Sequence, residues 1–147
     1  MESIFSAVDN VNPTSESNRS YFLPGKYKVR LENVLIHKKR LGGNLFVVET
    51  TCLESDNPEI LPGETRNWVQ PMDTDAAMPR IKTFMGAAHG FCPKRNLDAL
   101  SKFVTKEVCE KAVSDENPLK NKELKLECHN KKSMKTGKDF TVHLWLP

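Results

Sequence analysis

Four lysines crowd the stretch HNKKSMKTGKDF at residues 129–140: Lys131, Lys132, Lys135 and Lys138. A second basic run, HKKRLGGN at 37–44, holds Lys38, Lys39 and Arg40. Ammonium and guanidinium groups at this density bind anions, and nucleic-acid phosphate is the polymeric anion they suit best. Residues 26–40 hold six basic residues and one acid, residues 120–138 seven lysines and two acids, and the remainder nine basic residues against sixteen acids. The net charge of +3 therefore hides two basic segments on an acidic background, the footprint of an anionic partner. Either run taken alone has the ordinary composition of a solvated loop. Their placement in the fold has to decide.

Aromatic residues supply a second kind of chemistry. Trp68 lies between Arg66 and Gln70 at strand spacing, so its neighbours of the same parity are polar and its face is expected to meet solvent or ligand. Trp145 shares a face with Thr141 and His143. Phe46 shares one with Val48 and Thr50, which leaves its direction open. Rings on polar faces are the stacking platforms of single-strand binders, beside a basic groove that tracks the phosphates. The competing assignment has Trp68 and Trp145 closing the ends of a barrel or packing under helices. Lys28 and Arg30 on the first strand and Arg66 on the third would extend the basic track.

Catalytic sets are not evident. The sequence has no GxxxxGK[ST], GxGxxG, HExxH or GxSxG motif. Asp73 and Asp75 have the spacing of a magnesium pair but lack a third acid and fall where a helix cap is expected. His89 and Cys92 need two more ligands to close a zinc site. Cys52, Cys92, Cys109 and Cys128 are widely spaced and read as free thiols. No catalytic residue, metal or cofactor is therefore expected. The N-terminus lacks the basic and apolar regions of a secretory signal, and no apolar run reaches the length of a membrane span, so the expectation is a cytoplasmic protein with no membrane partner.

These residues must be positioned by a β-rich scaffold. Residues 1–19 are polar and read as a flexible arm, and 20–147 as one domain. Tyr27, Val29 and Leu31 alternate with Lys28, Arg30 and Glu32, and then the apolar phase slips to Val34 and Ile36, the signature of a bulged strand. Residues 45–55 and 64–72 read as the second and third strands. Helical spacing follows in two segments, with Ile81, Phe84, Met85 and Ala88 in the first and residues 96–113 in the second, where Asn96 is a candidate cap. Residues 122–130 and 139–147 alternate again. In the last strand Phe140, Val142, Leu144 and Leu146 point one way and Thr141, His143 and Trp145 the other. Three strands, a helical insert and two strands make up the string of an OB-fold, a five-stranded Greek-key barrel. In that barrel the 1–2 and 4–5 loops flank the ligand groove, and the two basic runs fall in those two loops, where they are expected to stand side by side.

The segments SYFLPGKYKVRLENVLIHKKRLGGNLFVVETTCLESDN, LPGETRNWVQ and RIKTFMGAAHG resemble a phage-encoded OB-fold family of single-stranded-DNA-binding proteins. The Pro-Gly-x-Tyr opening of the first strand, the GNLFVVE second strand, the Gly-led third strand and the Ile-Lys-x-Phe helix carry the resemblance, over about residues 20–90. It implies a protein that coats single-stranded DNA in phage replication, recombination or repair, in the cytoplasm of a bacterial host, beside phage or host replication proteins. The chain departs from many such proteins in ending on the strand-like VHLWLP rather than an acidic tail. An OB domain that binds a host or phage protein instead is the alternative, because fold does not fix function. A metal-dependent nuclease using Asp73 and Asp75 is a third reading. Homo-oligomerisation is left open.

Overall fold

A computed structural model describes residues 21–147; the arm at 1–19 lies outside the described residues. The elements follow in the order β1 (Gly25–Lys38), β2 (Asn44–Ser55), β3 (Thr65–Pro71), α1 (Ala77–Ala88), α2 (Leu97–Phe103), α3 (Lys106–Ala112), β4 (Glu123–Lys132) and β5 (Asp139–Leu146). The five strands form one antiparallel sheet in the order β3-β2-β1-β4-β5.

The long first strand carries the irregularity that its phase slip predicts. Tyr27, Val29 and Leu31 are buried, and the next buried residue is Val34. The pairing with β2 steps from Leu31↔Thr50 to Asn33↔Glu49, leaving Glu32 as the extra residue. A second shift falls between Lys28 and Val29, where Leu53 is extra on β2. Bulges increase local twist and bend the strand. The curvature lets β1 pair with β4 from Gly25 to Arg30 and with β2 from Tyr27 to Lys38. The 1–2 turn closes through Gly42 and Gly43, whose φ values of 101° and 86° belong to the left-handed region that glycine enters without penalty.

The two outer strands meet through side chains. Trp68 of β3 and Trp145 of β5 have ring centroids 5.7 Å apart, and both touch Phe84 of α1, at 5.7 and 5.0 Å. Phe46 adds edge contacts to Trp68 and Phe84. Phe22, just ahead of β1, packs on Tyr27, His143 and Trp145, while Tyr21 makes a parallel bridge to Asn67 of β3. One apolar cluster thus runs from Phe22 to Trp145.

The helical insert differs from the expected two helices. Residues 96–113 form α2 and α3, separated at Val104, which is extended, and Thr105, whose hydroxyl accepts the Val108 N–H at 3.4 Å and caps α3. A threonine able to cap a new helix competes with continuation of the old one. Neither Asp73 nor Asp75 caps α1, whose N-cap position is Ala76, and Asn96 occupies the α2 N-cap position without a side-chain bond. The buried face of α1 includes Ile81, Phe84, Met85 and Ala88, the residues at helical spacing.

Gly86 sits in α1 with no room for a side chain: a Cβ there would stand 2.0 Å from Leu100 Cγ and 2.2 Å from its Cδ1. Helix propensity alone favours alanine over glycine by about 1 kcal/mol. The overlap with buried Leu100 reverses the sign, and Gly86→Ala should destabilise the fold by about 1–3 kcal/mol. A urea unfolding midpoint that rises on substitution would show that α2 does not seat against α1 this closely.

Candidate nucleic-acid interface

Cross-strand register decides which side chains face out. Residues directly opposite in a ladder share a face of the sheet. On β3, Arg66, Trp68 and Gln70 pair with Thr50, Val48 and Phe46, all of which face the core. All three β3 side chains are therefore buried, and Trp68 is only 5% exposed. This corrects the expectation of a solvent-facing Trp68. The polar parity neighbours that suggested exposure are instead held at the edges of the core, although the buried Arg66 Nε has no hydrogen-bond partner among the described residues. Arg66 is held by Glu64 at 3.4 Å and by the Thr65 carbonyl, and Gln70 accepts from Arg80 and donates to the Pro71 carbonyl. Arg66 is accordingly no part of a basic track.

The last strand shows the same effect. Trp145 and His143 pair with Leu126 and Cys128, which are core residues of β4. Trp145 is 2% exposed, so it also leaves the list of stacking platforms. The predicted alternation in β5 is present, with the face of His143 and Trp145 turned inward. Phe140, Val142, Leu144 and Leu146 stand opposite Lys131, His129, Glu127 and Lys125, on the outer face. Phe140 is 38% exposed at the base of the basic hairpin. Sequence reasoning assigned it to the apolar side of its strand; the one available signal was its proximity to the lysine run.

The basic residues divide into paired and unpaired sets. Lys28 bridges Glu123 at 3.3 Å and Glu54 at 3.9 Å, and Arg30 holds Glu32 at 3.1 Å. The Glu32 carboxyl is drawn below the usual carboxylate range, first by its hydrogen bond from Arg30. The expected extension of the track along β1 is thus neutralised by its own neighbours. Lys39 reaches Asp73 at 3.8 Å. Among the described residues, Lys38, Arg40, Lys131, Lys132, Lys135 and Lys138 have no ion-pair partner.

The two basic loops do not stand side by side. Lys26 pairs with Glu127 and Arg30 with Glu123, so β4 runs toward the start of β1. The 4–5 turn beyond Lys132 lies past the beginning of β1, and the 1–2 turn follows Lys38 at its other end. Antiparallel pairing of β1 with β4 makes this unavoidable. Ser133 closes the 4–5 turn through backbone bonds with Lys138 and Gly137 and through its hydroxyl to the amides of Lys135 and Thr136. Met134 stands fully exposed at the tip.

Other sites of possible chemistry are engaged structurally. His89 Nδ1 lies 2.6 Å from the Met85 carbonyl, and its ring packs on Phe103. No cluster of three His, Cys, Asp or Glu side chains that would hold a metal occurs among the described residues. No helix among them is long and apolar enough to cross a membrane. Burial raises the Cys128 thiol to about 12 and raises that of Cys52. A cavity of about 530 Å³ between the sheet, α1 and α3 is lined mainly by apolar groups including Phe46, Met72, Ile81, Val104 and Val113, a lining unsuited to phosphate. Neither a protein-family model nor a curated protein matches the chain.

Two predictions follow from the buried rings. Trp68→Ala should cost about 3–5 kcal/mol of stability, the usual loss for a core aromatic, and a variant that unfolds like the parent would contradict the packing. His143, beside Trp68 and Phe22, is held down to about 4 by burial and then by the Arg80 charge, against an ordinary 6.5. The unfolded chain then binds one more proton than the folded one between those values. Stability from this group is complete above about pH 6.5 and is lost as pH falls toward 4, by on the order of 3 kcal/mol. An acid-unfolding profile of His143→Gln that keeps the parent's slope in this window would exclude the effect.

Proposed function

We propose that the chain is a partly open OB-type Greek-key barrel that binds single-stranded DNA with little sequence preference, in phage DNA replication, recombination or repair. The observation that carries the reading is the β4–β5 hairpin. Among the described residues Lys131, Lys132, Lys135 and Lys138 have no ion-pair partner, and Lys131 shares a face of the hairpin with the exposed ring of Phe140 directly opposite it. Free cations beside an accessible ring are the two elements that single-strand binding needs, one for phosphate and one for a base. The bulged β1, the strand order and the side-chain contact between β3 and β5 support the barrel, and the resemblance in residues 20–90 supports the process. Lys38 and Arg40 at the opposite end of β1 supply a second, separate attachment point. The tryptophans act as scaffold in this reading.

Binding of an oligo-dT about 16 nucleotides long, the upper site size for one OB domain, tests the reading directly. Affinity should fall with salt by about 0.7 log units per log unit for each phosphate neutralised. Replacing Lys135 and Lys138 together by Glu should weaken binding at least tenfold and flatten that dependence by about 1.4. Phe140→Ala should cost about 1–3 kcal/mol and leave the salt slope in place, because it removes a stacked base and no ion contact. A parent protein that ignores the oligonucleotide at low salt would sink the proposal and favour the hairpin as a protein-binding surface.

A further inference from the structure

A second group of unpaired cations lies at the other end of the same outer surface. Lys94 and Arg95, in the connection between α1 and α2, meet Lys125 of β4 around a cleft of about 300 Å³ completed by Cys92, Leu146 and Pro147. All three cations are exposed, and none has an acidic partner within ion-pair distance among the described residues. Asp98, in an adjoining hollow with Lys94 and Arg95, does not reach either of them. Lys125 stands directly opposite Lys28, whose own charge is matched by Glu54 and Glu123. Three cations lining one cleft with no acid paired to any of them make it electropositive, and a phosphate there would accept charge-assisted hydrogen bonds.

The cleft and the hairpin site lie on the same face of β4 and β5. Lys125, Glu127, His129 and Lys131 share the outer face of β4, opposite Leu146, Leu144, Val142 and Phe140 of β5. Six steps along the strand lead from Lys125 to Lys131, about 20 Å. Cations and a histidine on one strand, interleaved with an apolar row ending in a ring on the next, make a surface that suits a backbone and its bases. Glu127 is the one acid along it, and it stands opposite Lys26 on the other side.

We propose that Lys94, Arg95 and Lys125 form a phosphate-binding subsite, and that a single strand leaving the lysine hairpin runs along the outer face of β4 and β5 to reach it. The path half of this inference rests on the single-strand-binding reading; the phosphate cleft does not. It extends the binding surface of the hairpin along the outer face of β4 and β5. Phosphodiester in a strand and free phosphate share the chemistry that the cleft recognises, and two measurements separate them.

The full chain and its K94Q/R95Q/K125Q variant are titrated with the same oligo-dT under varied salt and, separately, with inorganic phosphate while backbone amide shifts are followed by NMR. The expected result is about tenfold weaker oligonucleotide binding by the variant and a salt slope smaller by about 0.7, one phosphate's share. Phosphate should shift the amides near residues 94, 95 and 125 of the parent saturably and leave those of the variant unmoved. If the parent binds the oligonucleotide and the variant matches it in affinity and slope, the path is wrong while single-strand binding stands. If the parent does not bind the oligonucleotide, the single-strand reading fails and the phosphate titration alone decides: saturable shifts keep the cleft as a free-phosphate site, and their absence overturns it. Should the triple variant's amide spectrum depart from the parent's throughout, the single R95Q variant serves in its place, with the same outcomes.

Discussion

The contact between Trp68 and Trp145 holds the rest of the molecule in place. A five-stranded sheet in the order β3-β2-β1-β4-β5 has two free edges, and free edges cost exposed backbone donors and acceptors. Here the end strands are drawn together by two indoles in contact with each other and with Phe84. Each such pair contributes about 0.5–1.5 kcal/mol beyond the area it buries. The indole nitrogen of Trp145 is buried and has no hydrogen-bond partner among the described residues, so there its contribution comes from ring packing. Phe22 and the bridge from Tyr21 to Asn67 occupy the same seam, which ties the chain before β1 to the two outer strands.

Once those rings are inside, the outer surface follows. Burying Trp145 and His143 commits β5 to present Phe140, Val142, Leu144 and Leu146 outward, since successive side chains alternate. Burying Trp68 commits β3 to bury Arg66 and Gln70, and local partners at the two ends of that strand make this tolerable. The surface of β1 is then occupied by its own ion pairs, weak individually but sufficient to match its charge locally. Among the described residues, the cations of the two turns other than Lys39, and those of the cleft at Lys125, remain without an ion pair.

Much of the scaffold was legible in the sequence. The order of strands and helices, the bulge near Asn33 and the glycine turn at 42–43 each rest on a local signal: alternation, a phase slip, a glycine pair. The inward face of α1 was legible because one amphipathic stripe suffices to orient a helix. The break at Val104–Thr105 was not, since the apolar stripe continues across it and only the threonine cap interrupts the backbone.

The sequence by itself determined the β-rich string of elements and the concentration of unmatched positive charge in the 1–2 and 4–5 turns. Those are properties of neighbouring residues. The tertiary structure alone decided which face of β3 and β5 is inside, that the two turns occupy opposite ends of β1, and that Lys94 and Arg95 join Lys125. In a strand with polar and apolar residues on both faces, alternation identifies two faces but not which one is buried. Register against a neighbouring strand makes that choice, and a slip of one residue would reverse it. That is why the two tryptophans, set among polar neighbours in the sequence, are core residues, and why Phe140, set among apolar ones, is at the surface.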